Sequence, residues 1–135
     1  MTTIKEILYV LLDNYAEHEI GFLPEAVNTD EQGFRKERKY ANKIVAPTLG
    51  PVKSIGGMRT LPDYSFESMP EDYAALVLIG GYGWMTAEAD GVVPIVKQAL
   101  SKGIIVEIRL TYAHFFRNFR LLLSQNKTKA WKITS

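Results

Sequence analysis

Glu17, His18 and Glu19 follow directly on the first apolar run of the chain. A carboxylate at such a place can hold a proton beside a nucleophile, the arrangement that general acid–base chemistry needs. Acids also collect at helix starts because the backbone dipole favours them there, so position alone leaves both readings open. Neighbouring residues on a helix point in different directions, so Glu17 and Glu19 around His18 do not make a ligand set, and no metal is expected. His114 has no recognisable partner in sequence. The second cluster is Gly80-Gly81-Tyr82-Gly83, at the end of the apolar run Ala74–Ile79. Glycine there either makes a tight turn or lets backbone N–H groups approach an oxyanion without a side chain in the way. As a nucleotide fingerprint the cluster fails, since position 86 is Thr and no Gly-Lys-Ser/Thr follows. What the set lacks is a nucleophile. The chain has no cysteine, and neither a Gly-x-Ser-x-Gly elbow nor a Ser-His-Asp arrangement can be read. The cysteine count also excludes disulfides and thiolate metal sites, and no cofactor is implied.

The elements that must position these residues read as α/β. Ile4–Leu12 is a nearly continuous apolar run rich in β-branched residues, as expected of a strand buried on both faces. Asp13-Asn14 signals a turn, and Glu17–Asn28 carries Ile20, Leu23 and Val27 at helical spacing, with Pro24 placed awkwardly inside. Lys43–Thr48 is a short strand candidate, and Val52–Ile55 and Met58–Leu61 around Gly56-Gly57 suggest a β-hairpin. Ser68 through Glu71 has capping-box spacing, which predicts a turn of helix leading into the strand Ala74–Ile79. Gly91–Gly103 predicts an amphipathic helix, and Ile104–Val106 begins a third buried strand. The order argues an open, mostly parallel, doubly wound sheet of flavodoxin-like or amidotransferase-like type, with helices on both faces.

At 135 residues the chain is one domain at most. No apolar run approaches the roughly 20 residues that span a bilayer, and no leader segment is visible, so a cytoplasmic protein is expected. The basic run at residues 35–39 reads as a solvated connector rather than a nucleic-acid surface. Charge is divided unevenly: residues 1–106 hold 10 Lys/Arg against 14 Asp/Glu, whereas 107–135 hold 6 against one, Glu107. In that basic tail Tyr112, Phe115, Phe116, Phe119, Leu122 and Leu123 fall at helical spacing, and Gln125–Ser135 reads as polar and frayed.

Leu8–Asn28, Ser54–Asp63, Tyr73–Trp84 and Val93–Val106 together resemble the ThiJ/PfpI family, of the class I glutamine amidotransferase-like fold, in the right order over residues 4–106. The resemblance implies a cysteine hydrolase-like ancestry; members are described as intracellular proteases, glyoxalases, deglycases or chaperones. It implies that Glu19 is the acid that hydrogen-bonds the reactive cysteine, and that the Gly80-Gly81-Tyr82 backbone contributes to the oxyanion hole. The third strand should then run into an Ala-Ile-Cys elbow, with a His-Thr-Gly motif beyond. Here it reads Glu107-Ile108-Arg109-Leu110. The position expected for cysteine is Leu110, or Arg109 if the turn is one residue shorter.

The expectation is therefore a C-terminally shortened, catalytically inactive member: a family-like region over 1–106 followed by an atypical tail over 107–135, read from a shifted frame. Elements missing from such a domain would leave a sheet edge open, and a homodimer is the expected partner. The alternative is a non-enzymatic binding protein that uses the basic aromatic tail on a partner, with a membrane surface the less favoured target.

Overall fold

The computed structural model describes residues 4–28 and 39–109, together with the backbone of the strand at 131–134. Its centre is a six-stranded sheet in which every paired neighbour is parallel. The strands are β1 (Lys5–Val10), β2 (Tyr40–Ala46), β5 (Tyr64–Ser65), β6 (Ala75–Ile79), β7 (Ile105–Arg109) and β8 (Trp131–Thr134), in the order β5-β2-β1-β6-β7-β8. A separate two-stranded hairpin pairs β3 (Val52–Lys53) with β4 (Arg59–Thr60), where the Gly56-Gly57 turn predicts it.

Period-two alternation sends successive residues of each strand to opposite faces. Leu8, Val10, Leu76, Leu78, Val106 and Ile108 form one core with Val92, Val96 and Ala99 of helix α2 (Val92–Ser101). Tyr9, Leu11, Val77 and Ile79 form the other, packed by Ile20 and by Leu23 of helix α1 (Leu23–Asn28). Both faces bury apolar side chains, and this is why the strands read as unbroken apolar runs.

The chain leaves β1 outward to β2 and β5, then crosses back to β6 on the other side of β1. The carboxyl end of β1 is thus the point where the winding reverses, and ligand sites of open α/β sheets lie at such switch points. Residues 11–19 and 80–85 both emerge there.

Several local expectations change. The helix expected over Glu17–Asn28 is a 3-10 turn at Glu17–Glu19 and then α1, separated at Gly21, whose φ of 58° lies in the left-handed region. Pro24 falls in the first turn of α1, where its missing N–H costs nothing. The spacing at Ser68–Glu71 makes no helix: Ser68 Oγ accepts the Ser65 N–H at 2.8 Å and closes a turn after β5. The third strand, expected to begin at Ile104–Val106, runs from Ile105 to Arg109. Residues 131–134 are not frayed, since β8 pairs with β7 from Val106↔Trp131 to Arg109↔Thr134. An aromatic and two β-branched residues in four suit that place on the sheet. Leu110 and the helix expected over Tyr112–Leu123 lie outside the described residues.

Candidate functional site

Beyond β1, residues 13–17 lie between two partners that hold their backbone on both sides. On one side Asn14 N–H donates to Lys53 O at 2.7 Å and Ile55 N–H to Tyr15 O at 2.9 Å, docking the β3–β4 hairpin. On the other, Ala16 N–H donates to Gly80 O at 2.8 Å and Tyr82 N–H to Asn14 O at 3.0 Å, docking the glycine loop. Asn14 itself takes φ 61°, a conformation Asn tolerates better than most residues.

The 3-10 turn that follows presents Glu19, which is 6% exposed. Its carboxylate lies over Gly80: a Cβ on that glycine would sit 2.7 Å from Glu19 Oε1 and 2.9 Å from the carbonyl oxygen of Arg109. Glycine is therefore required where three elements meet, and it brings the Glu19 carboxylate against the last residue of β7. Leu110 is the next residue in the chain. His18, between the two glutamates, is exposed.

Gly81 has φ 145° and ψ 179°, a region essentially reserved for glycine, and a Cβ there would overlap the Asn14 carbonyl. Gly80 C=O and Tyr82 N–H both face residues 14–16, and the trans peptide therefore turns the intervening Gly81 N–H away from that segment. Of the loop Gly80-Gly81-Tyr82, the Tyr82 N–H is thus already engaged with Asn14 O. Gly83 packs against β1's exit, with 2.6 Å between its would-be Cβ and Leu12 Cβ. Below it Trp84 is buried and donates its indole N–H to Ile79 O at 2.6 Å, tying the loop to the end of β6.

Two further groups make contacts that the sequence did not indicate. Arg109 lies on the α1 face, bonded through Nε to Glu107 Oε1 at 3.1 Å and reaching Glu19 O through Nη1 at 3.4 Å. Glu17 faces the hairpin. It accepts hydrogen bonds from the buried Ser54 hydroxyl and from Gly56 N–H, the latter at 2.9 Å, and these bonds hold its carboxyl below the usual carboxylate range. No local signal marks this contact, because Glu17 and Ser54 are 37 residues apart. Farther from the switch point, burial is the main cause that pushes the Tyr9 phenol up to about 12, and its hydroxyl donates to Asn42 Oδ1 at 2.8 Å. Among the described residues no group of three His, Asp or Glu side chains is placed to hold a metal ion, and no helix is long and apolar enough to cross a membrane.

An open parallel α/β sheet with a buried acid and a glycine loop at its carboxyl edge defines the class of protein. Residues 5–108 match the DJ-1/PfpI family, two residues farther than the resemblance noted from sequence, and the chain belongs to that family. It is 32% identical over 102 residues to an uncharacterized protease of Bacillus subtilis, YdeA, spanning 75% of this chain and 47% of that one. The chain therefore spans about half the length of the curated relative it matches. Among solved structures, a DJ-1 superfamily protein of Agrobacterium tumefaciens superposes with a TM-score of 0.64 at 25% identity, covering 78% of this chain and 53% of the other. A cysteine-to-alanine mutant of a DJ-1 superfamily protein from Salmonella typhimurium shares the fold, with a TM-score of 0.68 at 14% identity over 98% of this chain and 75% of the other.

Proposed function

We propose that this chain presents the acid and oxyanion-directed backbone of a DJ-1/PfpI site without the thiol nucleophile, and is inactive as a cysteine hydrolase. One observation supports the reading: the buried Glu19 carboxylate and the carbonyl of Arg109, the last residue of β7, meet over Gly80 in a chain with no cysteine. Covalent catalysis needs an activated nucleophile next to its base or acid, and neither an arginine nor a leucine at that strand end supplies one. The protease designation of the Bacillus subtilis relative supports acyl-transfer chemistry as what such a site performs once a thiol is present. The basic composition beyond Glu107 supports the proposal that the departure from the family arose by a shift of reading frame. The DNA downstream of codon 108 tests this: an alternative frame encoding an Ala-Ile-Cys elbow is expected, and its absence from both alternative frames sinks the idea.

The site itself is tested by putting the thiol back. Leu110→Cys should be alkylated by iodoacetamide at pH 6 about tenfold faster than Arg109→Cys, because the thiol and the Glu19 carboxyl then share one proton, which the carboxyl holds and donates to the thiolate. Adding Glu19→Ala should remove that advantage. Equal rates in all three proteins would show that Glu19 does not address this position. Peptidase or esterase turnover by the unaltered chain that disappears with Glu19→Ala would overturn the inactive reading.

A further inference from the structure

Glu17 and Glu19 leave the same 3-10 turn in different directions, and each carboxylate occupies the space that a Cβ would take on a glycine. Glu19 lies over Gly80, as described, and Glu17 lies over Gly56 with 2.8 Å between Oε2 and the would-be Cβ. The turn is short, its N-cap residue Ala16 makes no side-chain capping bond, and Gly21 ends it with φ 58°. Its backbone closes on itself through Glu19 N–H to Ala16 O at 3.0 Å and Ile20 N–H to Glu17 O at 3.2 Å. A turn of three residues takes its orientation from what grips it from outside.

On the hairpin side that grip is the Glu17 carboxylate. Ser54 is fully buried; its Oγ accepts Met58 N–H at 2.9 Å, and its proton goes to Glu17 Oε2. Gly56 N–H supplies the second donor to the same carboxylate. We infer that Glu17 is a positioning residue: by clasping the hairpin at Ser54 and Gly56 it sets the orientation of the turn, and so holds the Glu19 carboxylate at Gly80 and the end of β7. A carboxylate is the only side chain of this length that accepts from both donors at once. A glutamine that keeps the Gly56 N–H on its oxygen turns its NH2 group to Ser54 Oγ, so that bond must reverse and the buried Ser54 hydroxyl loses the acceptor of its proton.

The inference rests on Glu19 as the acid of the site, and its experiment reads the Glu19 carboxyl itself, so an unreactive cysteine at position 110 leaves it standing. In protein labelled with ¹³C and ¹⁵N, Glu17→Gln should move the Glu19 side-chain carboxyl resonance at fixed pH. The same change should speed hydrogen exchange of the Glu19 and Ile20 amides by roughly tenfold, while amides of β6 and α2 keep their protection. Ser54→Ala, which removes the buried donor from the other side, should move the same resonance. Arg59→Ala, on the hairpin but away from the clasp, should leave it in place. The inference is overturned if the Glu19 resonance stays still in both clasp variants. It is equally overturned if Arg59→Ala moves that resonance as far, or if faster exchange spreads evenly into α2, since either would make Glu17 a general staple of the fold.

Discussion

The two faces of the sheet are built from the same strands and do different work. Facing α2, Leu8, Val10, Leu76, Leu78, Val106 and Ile108 are all buried, with Trp84 and Val96 closing over them. On the α1 face the paired rows begin with Tyr9, Val77 and Ile79 and end, one strand over, in Glu107 and Arg109. These two side chains keep 14% and 24% of their surface and pair with each other. Ile105, on the same face, is 56% exposed. The α2 face supplies a dry, continuous core. The α1 face carries the polar groups that lead to the switch point, and the 13–19 segment is held there by backbone hydrogen bonds to both neighbours and by the buried Tyr15 and Ala16. Rigidity comes from one side of the sheet and the geometry of the site from the other.

The largest break in this contrast is Trp84→Ala. It empties a fully buried indole site on the α2 side and leaves the Ile79 carbonyl without its donor, so a loss of about 3–5 kcal/mol in urea unfolding is expected. A loss under about 1 kcal/mol would mean that the α2 core is not the main source of stability. Gly81→Ala comes next, at about 1–3 kcal/mol from backbone strain alone, read by thermal unfolding. Its signature should be local, with the amides of Ala16 and Tyr82, which bond across the loop, losing protection first. The smallest effect is the pH dependence of the Glu17 clasp. Folding lowers the Glu17 pKa, chiefly through the Ser54 bond, so its contribution to stability is present above its ordinary value of 4.5 and fades as pH falls through the lower folded value. The Tm difference between the parent and Glu17→Gln should therefore be visible at pH 7 and shrink on acidification below pH 4.5. A difference that grows on acidification would reverse the sign and remove the clasp's charged form from the account.

Much of this fold is legible from local pattern. The apolar runs at 4–12 and 74–79 are strands because parallel strands covered on both faces have no polar side to show. The Gly56-Gly57 hairpin and the α2 stripe ending at Gly103 follow from turn chemistry and period. Other features were misread, each because a nonlocal partner outweighed the local signal. Ser68 and Glu71 have the spacing of a cap, yet Ser68 closes the β5 turn instead. Lys132 breaks the apolar character of the last residues, yet β7 offers those residues an edge to pair with, and a strand forms. The two-residue β5 has no sequence signature and exists because β2 holds Val45 and Ala46 beside Tyr64 and Ser65.

By itself the sequence determined the α/β alternation, the family, the acid at position 19 and the absence of any thiol. These depend on residue identity and on periodicities within a dozen residues, and a chain carries them whether or not it is folded. Only the tertiary structure decided that the two glutamates of one turn face different partners, and that the Tyr82 N–H is engaged by Asn14 O. It also decided that Gly80 is the clearance where Glu19 meets Arg109. Each of those facts is a contact between segments tens of residues apart, brought together by the return of the chain across β1. No local spacing encodes that crossing.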